Sequence, residues 1–208
     1  MQSNSLSWNS PDDRALIKKA LMHDELVLGT TDTVLGLFAN VTKEGFERLN
    51  VVKKRYEKPY IILIASQEKV SSFAEVKSES VRRIMTLGWP GPVTLILNKN
   101  TQCPDFFSYG KGTVALRVPD HQGLLMLLKS FQGLFSTSAN ISGKQVPTTI
   151  EYVDPDIVKQ VRYYIDTNSS YSAPSTILDC TGKQINVVRS GAYEIEKLEH
   201  IAGVSFSK

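Results

Sequence analysis

The sequence predicts an α/β fold: a twisted, mixed sheet with helices flanking it. Two observations carry this. Short apolar, strand-like runs alternate with helix-spaced segments along the whole chain, several of them long enough to cover a sheet. In addition, Tyr60 to Ser66 (YIILIAS) is continuously apolar, as in a strand buried on both faces. With 208 residues, 41% hydrophobic and 22% charged, the chain has the composition of a globular domain with its own core. No repeat, low-complexity tract or linker divides it. The expected organisation is a loose tail over residues 1–9 and a single domain over 10–208.

The elements follow in order. Ser10-Pro11-Asp12-Asp13 starts a helix, with a serine cap, proline in the first turn and acidic residues at the positive end of the dipole. Leu16, Ile17, Ala20 and Leu21 continue it with helical spacing to about His23. Glu25 to Gly29 is a strand, and Val34 to Val41 a second apolar segment. Lys43 to Lys54 returns to the helical pattern, with Phe46, Leu49 and Val52 on one face. After Pro59 and the buried run come helical segments near Gln67 to Phe73 and Ser78 to Leu87. The stretch Gly88 to Pro92 (GWPGP) is a rigid turn into a strand from Val93 to Asn98. Residues 99–111 read as loop, with Gly110 and Gly112 flanking Lys111. Thr113 to Pro119 is a strand, Leu124 to Phe131 a helix and Gly133 to Phe135 a strand. Thr148 or Thr149 and Asp154-Pro155 mark helix starts. Strands at Val161 to Ile165, Ser175 to Asp179 and Ile185 to Arg189 follow, and a helix near Glu194 to His200 closes the series.

Composition excludes several classes. The net charge of +3 permits a nucleic-acid partner without demanding one. Cys103 and Cys180 have neither CxxC nor metal-ligand spacing, which speaks against a zinc site or a disulfide framework and for a reducing compartment. The polar, acidic N-terminus lacks signal-peptide character, and no apolar run approaches bilayer length. A soluble, cytoplasmic protein without a membrane partner is expected. There is no GxxxxGK[ST], no GxGxxG after a strand, no HExxH and no GxSxG. His23, His121 and His200 are scattered, and capping is the expected role at His121.

Four features remain as candidate chemistry. Ser136 to Gly143 (STSANISG) places hydroxyls, an amide and backbone N–H groups at a strand end, where they suit an anion or a nucleotide. Thr30 to Gly36 (TTDTVLG) is either a turn or a hydroxyl-lined rim for a small polar substrate. Lys53-Lys54-Arg55 ends a helix and is either a solvated face that complements the dipole or a polyphosphate clamp. Arg117 lies within an apolar strand and shares a face with Ala115 and Thr113, so it needs an anionic partner. That partner is either an internal carboxylate such as Asp32 or a ligand, and Arg189 presents the same choice.

Taken together, TTDTVLG, KKR, WPGPVTLIL, TVALRVPDH, STSANISG, PSTILD and VVRSG resemble the YrdC family of threonylcarbamoyl-adenylate synthases. The family's KxR…SxN signature is matched by Lys53-x-Arg55 and Ser138-x-Asn140, and the likeness runs from about residue 10 to residue 192. The spacing after Arg55 leaves Lys54 as an alternative to Lys53. The resemblance implies the single-domain form of the family, with a large, concave, positive cavity. It implies condensation of L-threonine, bicarbonate and ATP to threonylcarbamoyl-AMP with release of pyrophosphate, Mg²⁺ acting through the nucleotide phosphates. A partner complex would transfer the threonylcarbamoyl group to tRNA.

By matching position, the resemblance assigns Lys53 and Arg55 to the phosphates and the catalytic role. It assigns Thr113, Asn140, Thr148 and Arg189 to the nucleotide, and Thr31, Arg117, Ser138 and Ser175 to threonine, with no protein metal site. The rival readings are a non-catalytic relative that binds double-stranded RNA or tRNA, and a sister branch that lacks both halves of the signature.

Overall fold

The computed structural model describes residues 5–54, 59–107, 110–166 and 173–207. In chain order the elements are β1 (Ser5–Leu6), α1 (Pro11–Met22), β2 (Leu26–Gly29), β3 (Gly36–Asn40), α2 (Lys43–Lys53), β4 (Ile61–Leu63), α3 (Glu79–Gly88), β5 (Val93–Asn98), β6 (Thr113–Arg117), α4 (Gln122–Leu128), β7 (Leu134–Ser138), α5 (Pro155–Val158), β8 (Val161–Ile165), β9 (Thr176–Asp179), β10 (Asn186–Arg189) and α6 (Ile195–Ala202). Short 3₁₀ turns at Gln67–Ser72, Asp105–Phe107 and Ile150–Tyr152 lie between them.

Helix starts follow local side-chain chemistry. Ser10, Thr42 and Ser78 cap α1, α2 and α3 by accepting backbone N–H bonds from Asp13, Gly45 and Val81. His121 caps α4 in the same way, its Nδ1 accepting from Leu124 N at 3.3 Å, as expected from the sequence.

Among the described residues ten strands form one mixed sheet in the order β1-β8-β2-β3-β7-β4-β6-β5-β9-β10. The pairs β1–β8, β8–β2, β4–β6 and β5–β9 are parallel and the others antiparallel. Period-2 alternation sorts the side chains onto two faces. Leu26, Leu28, Leu37, Ala39, Ile62, Leu95, Leu116 and Phe135 join the larger core, together with Phe46 and Leu49 of α2, Ile84 of α3 and Leu198 of α6. Val27, Phe38, Leu63 and Leu134 point the other way, against Ile17 and Leu21 of α1 and Leu124, Leu127 and Leu128 of α4. On this second face α1 and α4 cover one part of the sheet. The neighbouring stretch, around Gly36, Ile61, Ala115, Ser136 and Ile177, is concave and forms a cavity of about 570 Å³.

One expectation needs correction. Residues 5–9 are not a loose tail: β1 pairs with β8, and Trp8 is fully buried, with its ring edge-on to Phe38 at 5.6 Å. Trp8 Nε1 donates to Thr30 O at 2.7 Å, while Trp8 N and Ser7 Oγ donate to Asp166 Oδ2 at 2.8 and 3.2 Å. Burying a ring of this size adds hydrophobic stabilisation, and its indole N–H holds the start of the Thr30–Thr33 loop. Among the described residues no helix is long and apolar enough to cross a membrane.

Candidate functional site

The cavity is built from alternate residues of central strands and from the loops at their ends. β3 contributes Gly36, β4 Ile61, β6 Ala115 and Arg117, β7 Ser136 to Ser138, and β9 Ile177. Thr31, Thr33, Pro174, Ser175 and Lys111 come from loops, and Val188 and Arg189 from β10. Its described lining includes three basic residues and no carboxylate.

Arg117 is the most constrained of these. It is 4% exposed, and its guanidinium is engaged on three sides. Nε donates to Gly91 O at 3.0 Å, Nη1 to Thr33 Oγ1 at 2.9 Å, and Nη2 to Asp32 Oδ1 in a close ion pair. The choice left open by the sequence is therefore met by an internal carboxylate. Gly91 belongs to the WPGP turn, whose tight path sets its carbonyl against the arginine. A guanidinium carries five N–H donors, so the three bonds to the protein leave two. Asp32 is nine-tenths buried, and its Oδ2 accepts no hydrogen bond from a described residue. Burial lowers the Arg117 pKa from its usual value, and the nearby Asp32 charge opposes that shift.

Arg189 sits in the same concavity. Its Nε and Nη2 donate to Ser175 O at 3.1 and 2.9 Å, and Nη2 also reaches Ser175 Oγ at 3.2 Å. Ser175 Oγ in turn shares a 2.8 Å bond with Thr94 Oγ1. This contact depends on Gly191: a Cβ there would lie 2.3 Å from Pro174 O and 2.5 Å from Ser175 C, so only glycine lets the two backbones approach. Burial lowers the Arg189 pKa, and the neighbouring positive charge of Arg117 lowers it further. Two guanidiniums that feel each other's charge in a partly desolvated concavity favour an anion between or beside them.

The Ser138–Asn140 loop is organised from behind. Lys53, the last residue of α2, is 1% exposed. Its ammonium donates to Ser138 O at 2.6 Å, to Asn140 O at close range and to Asn140 Oδ1 at 3.1 Å. Asn140 Oδ1 also accepts from Ser138 Oγ at 2.6 Å, and Asn140 Nδ2 donates to Lys144 O. The two signature residues are thus bonded to each other and to the lysine. Lys54 takes the left-handed C-cap position and turns outward to Asp156 at 3.6 Å.

The structure brings Thr31, Arg117, Ser138, Ser175 and Arg189 onto one cavity. Lys53 and Asn140 adjoin it through the Ser138 loop without lining it. Thr113, at the start of β6, and the exposed Thr148 do not line it either. Arg55 lies outside the described residues. Sequence reasoning reached Thr33 only within the Thr30–Gly36 rim and missed Thr94 and Lys111. In that rim alternate threonines bond each other: Thr31 Oγ1 lies 2.9 Å from Thr33 Oγ1. The cysteines offer no ready nucleophile, since burial pushes the Cys103 thiol up to about 11 and the Cys180 thiol up to about 12.

Residues 19–191 match the Sua5/YciO/YrdC family, described as "Telomere recombination". A Methanocaldococcus jannaschii relative is 34% identical over 185 residues, which make up 88% of this chain and 87% of that protein. The Bacillus subtilis threonylcarbamoyl-AMP synthase is 32% identical over 214 residues, covering 97% of this chain and 59% of that protein. The crystal structure of Pyrococcus abyssi Sua5 complexed with L-threonine has a TM-score of 0.89 at 30% identity, over 98% of this chain and 62% of that one. The chain therefore spans about six-tenths of the length of the last two. By the extent of these matches, this chain belongs to the Sua5/YciO/YrdC family.

Proposed function

We propose that this chain is a threonylcarbamoyl-AMP synthase, condensing L-threonine, bicarbonate and ATP and releasing pyrophosphate. The observation that carries the reading is the convergence of Arg117, Arg189 and the hydroxyls of Thr31, Ser138 and Ser175 on one cavity, in a family whose P. abyssi member has been crystallised with L-threonine. Threonine brings a carboxylate for a guanidinium and an ammonium and hydroxyl for the oxygens around it. Arg117 would take the carboxylate with its two remaining N–H donors, with Thr31, Ser138 and Ser175 around the rest. Asn140 and Arg189 would face the nucleotide. Lys53 would contribute by holding the Ser138–Asn140 loop in shape, and Arg55 would serve as a phosphate ligand.

The chemistry needs no nucleophile from the protein. The threonine ammonium releases a proton to solvent, the free amine adds to the carbon of bicarbonate, and loss of water leaves the N-carboxylate. A carboxylate oxygen then attacks the α-phosphorus of ATP, forming the mixed anhydride as pyrophosphate leaves. The protein's share is to hold the reactants together and to offset the charge that develops on the leaving group. Among the described residues no cluster of His, Cys, Asp or Glu could hold a metal ion, and Asp32 is committed to Arg117. Mg²⁺ would arrive on the nucleotide phosphates, supplying charge neutralisation there. The adenylate would pass to a threonylcarbamoyl transferase complex that modifies tRNA.

Pyrophosphate release from ATP and Mg²⁺, with threonine and bicarbonate each added or withheld, tests the proposal. Release that requires both additions is the expected outcome. Binding of tRNA or double-stranded RNA with no such release would replace it with the RNA-binding reading.

A further inference from the structure

The Gly110-Lys111-Gly112 segment has no part in the assignments above, and three features of it point the same way. Both glycines have left-handed backbone, with φ of +72° and +69°, and apart from their chain neighbours no described residue has an atom within 4 Å of where a Cβ would stand. Their requirement is one of backbone shape, since an L-residue in that region costs about 1–2 kcal/mol. The double turn carries Lys111, which precedes β6 and is otherwise exposed, onto the cavity lining.

Register gives the second feature. Ile61 stands opposite both Ala115 and Ser136, so these three form one row across β6, β4 and β7. β4 is parallel to β6, and β7 is antiparallel to β4. Moving from Ser136 to Ser138 therefore runs toward the N-terminal end of β6, about 7 Å at the usual rise per residue. Ser138, its Asn140 loop and Lys111 thus share one end of the cavity. Arg117, at the C-terminal end of β6, marks the other end.

Charge gives the third. Lys99 is held by Asp105 at 3.0 Å and by Cys103 O at 2.7 Å, Lys54 faces Asp156, and Lys144 pairs with Asp154 at 3.2 Å. Lys53 is turned into the Ser138–Asn140 loop. Lys111 makes no ion pair or side-chain hydrogen bond with a described residue, so its charge is available to a ligand.

We infer that Lys111 is a polyphosphate-binding residue, whose ammonium meets the triphosphate of the nucleotide and then the departing pyrophosphate. The inference rests on the synthase reading and adds to it a cation from outside the family signature. A flexible lysine is a point charge with three donors, which suits a phosphate chain that changes shape as it leaves. The paired glycines fix where the lysine starts while its side chain follows the ligand.

Calorimetric titration of the full chain with inorganic pyrophosphate, alongside steady-state kinetics, tests this. Because Lys111 is exposed, Lys111→Ala and Lys111→Arg are expected to leave the fold intact. Lys111→Ala is expected to weaken pyrophosphate binding about tenfold, equivalent to about 1.4 kcal/mol, and to raise the KM for ATP similarly. The KM for threonine is expected to stay within about twofold, and Lys111→Arg to keep most of the affinity, because the charge is retained. If Lys111→Ala bound pyrophosphate as the unsubstituted chain does, the inference would be overturned while the synthase reading stood. If the unsubstituted chain neither bound pyrophosphate nor released it, both would fall.

Discussion

At one end of the cavity a guanidinium is clamped by a carboxylate, a hydroxyl and a carbonyl; behind the other end an ammonium is sunk among the oxygens of a loop. Arg117 is borne on a strand, and its three bonds fix the orientation of its plane, so the remaining donors are presented as charge with direction. Lys53 spends its donors on Ser138 and Asn140 and presents the shape of that loop. On the proposed reading the same kind of buried cation would do two jobs: Arg117 would recognise the ligand, and Lys53 organises the loop.

The comparison can be broken first at Arg117. Arg117→Met leaves Asp32 buried and unpaired, which costs about 3–5 kcal/mol, and pyrophosphate release is expected to be lost. Adding Asp32→Asn removes the stranded charge. The double variant is expected to recover much of the stability in urea unfolding and none of the turnover. Recovery of turnover would mean that Arg117 is only a structural partner of Asp32.

Lys53→Met comes next. It takes the ammonium away from the Ser138 and Asn140 carbonyls, while Asn140 Oδ1 keeps its bond from Ser138 Oγ, and a buried acceptor left without a partner costs roughly 1–3 kcal/mol. The expected signature is lower stability with a raised KM for ATP. A stable variant with unchanged kinetics would show that the loop holds its shape alone. The smallest effect is expected at Ser175→Ala, which removes the bonds to Thr94 and Arg189 for about 1 kcal/mol. The KM for threonine should rise severalfold, with that for ATP little changed.

Much of the fold is legible in the sequence because period-2 alternation and helix caps are local signals. The strands of the central sheet and the starts of α1, α2 and α3 fall where Ser10, Thr42, Ser78 and the apolar runs place them. Trp8 was not legible: its surroundings are polar and without period, and its burial depends on Thr30, Phe38 and Asp166, far along the chain. The site follows the same division. Arg117 announces itself as a charge in an apolar strand, yet its partner Asp32 is 85 residues away, and no spacing rule chooses it over a ligand. The basic triplet reads as a clamp or a solvated face, because only packing of the last turn of α2 against the β7 loop turns Lys53 inward and leaves Lys54 outside. Lys111 is visible as a lysine between glycines, but its place on the cavity depends on backbone φ values that the residue names permit without requiring.

The most direct test of the central claim is mass analysis of the product formed from ATP, threonine and ¹³C-bicarbonate. The account predicts a species containing AMP and threonine that carries one labelled carbon, formed together with pyrophosphate. ATP cleavage that yields free AMP or ADP, with no threonine-containing adenylate and no label, would contradict it.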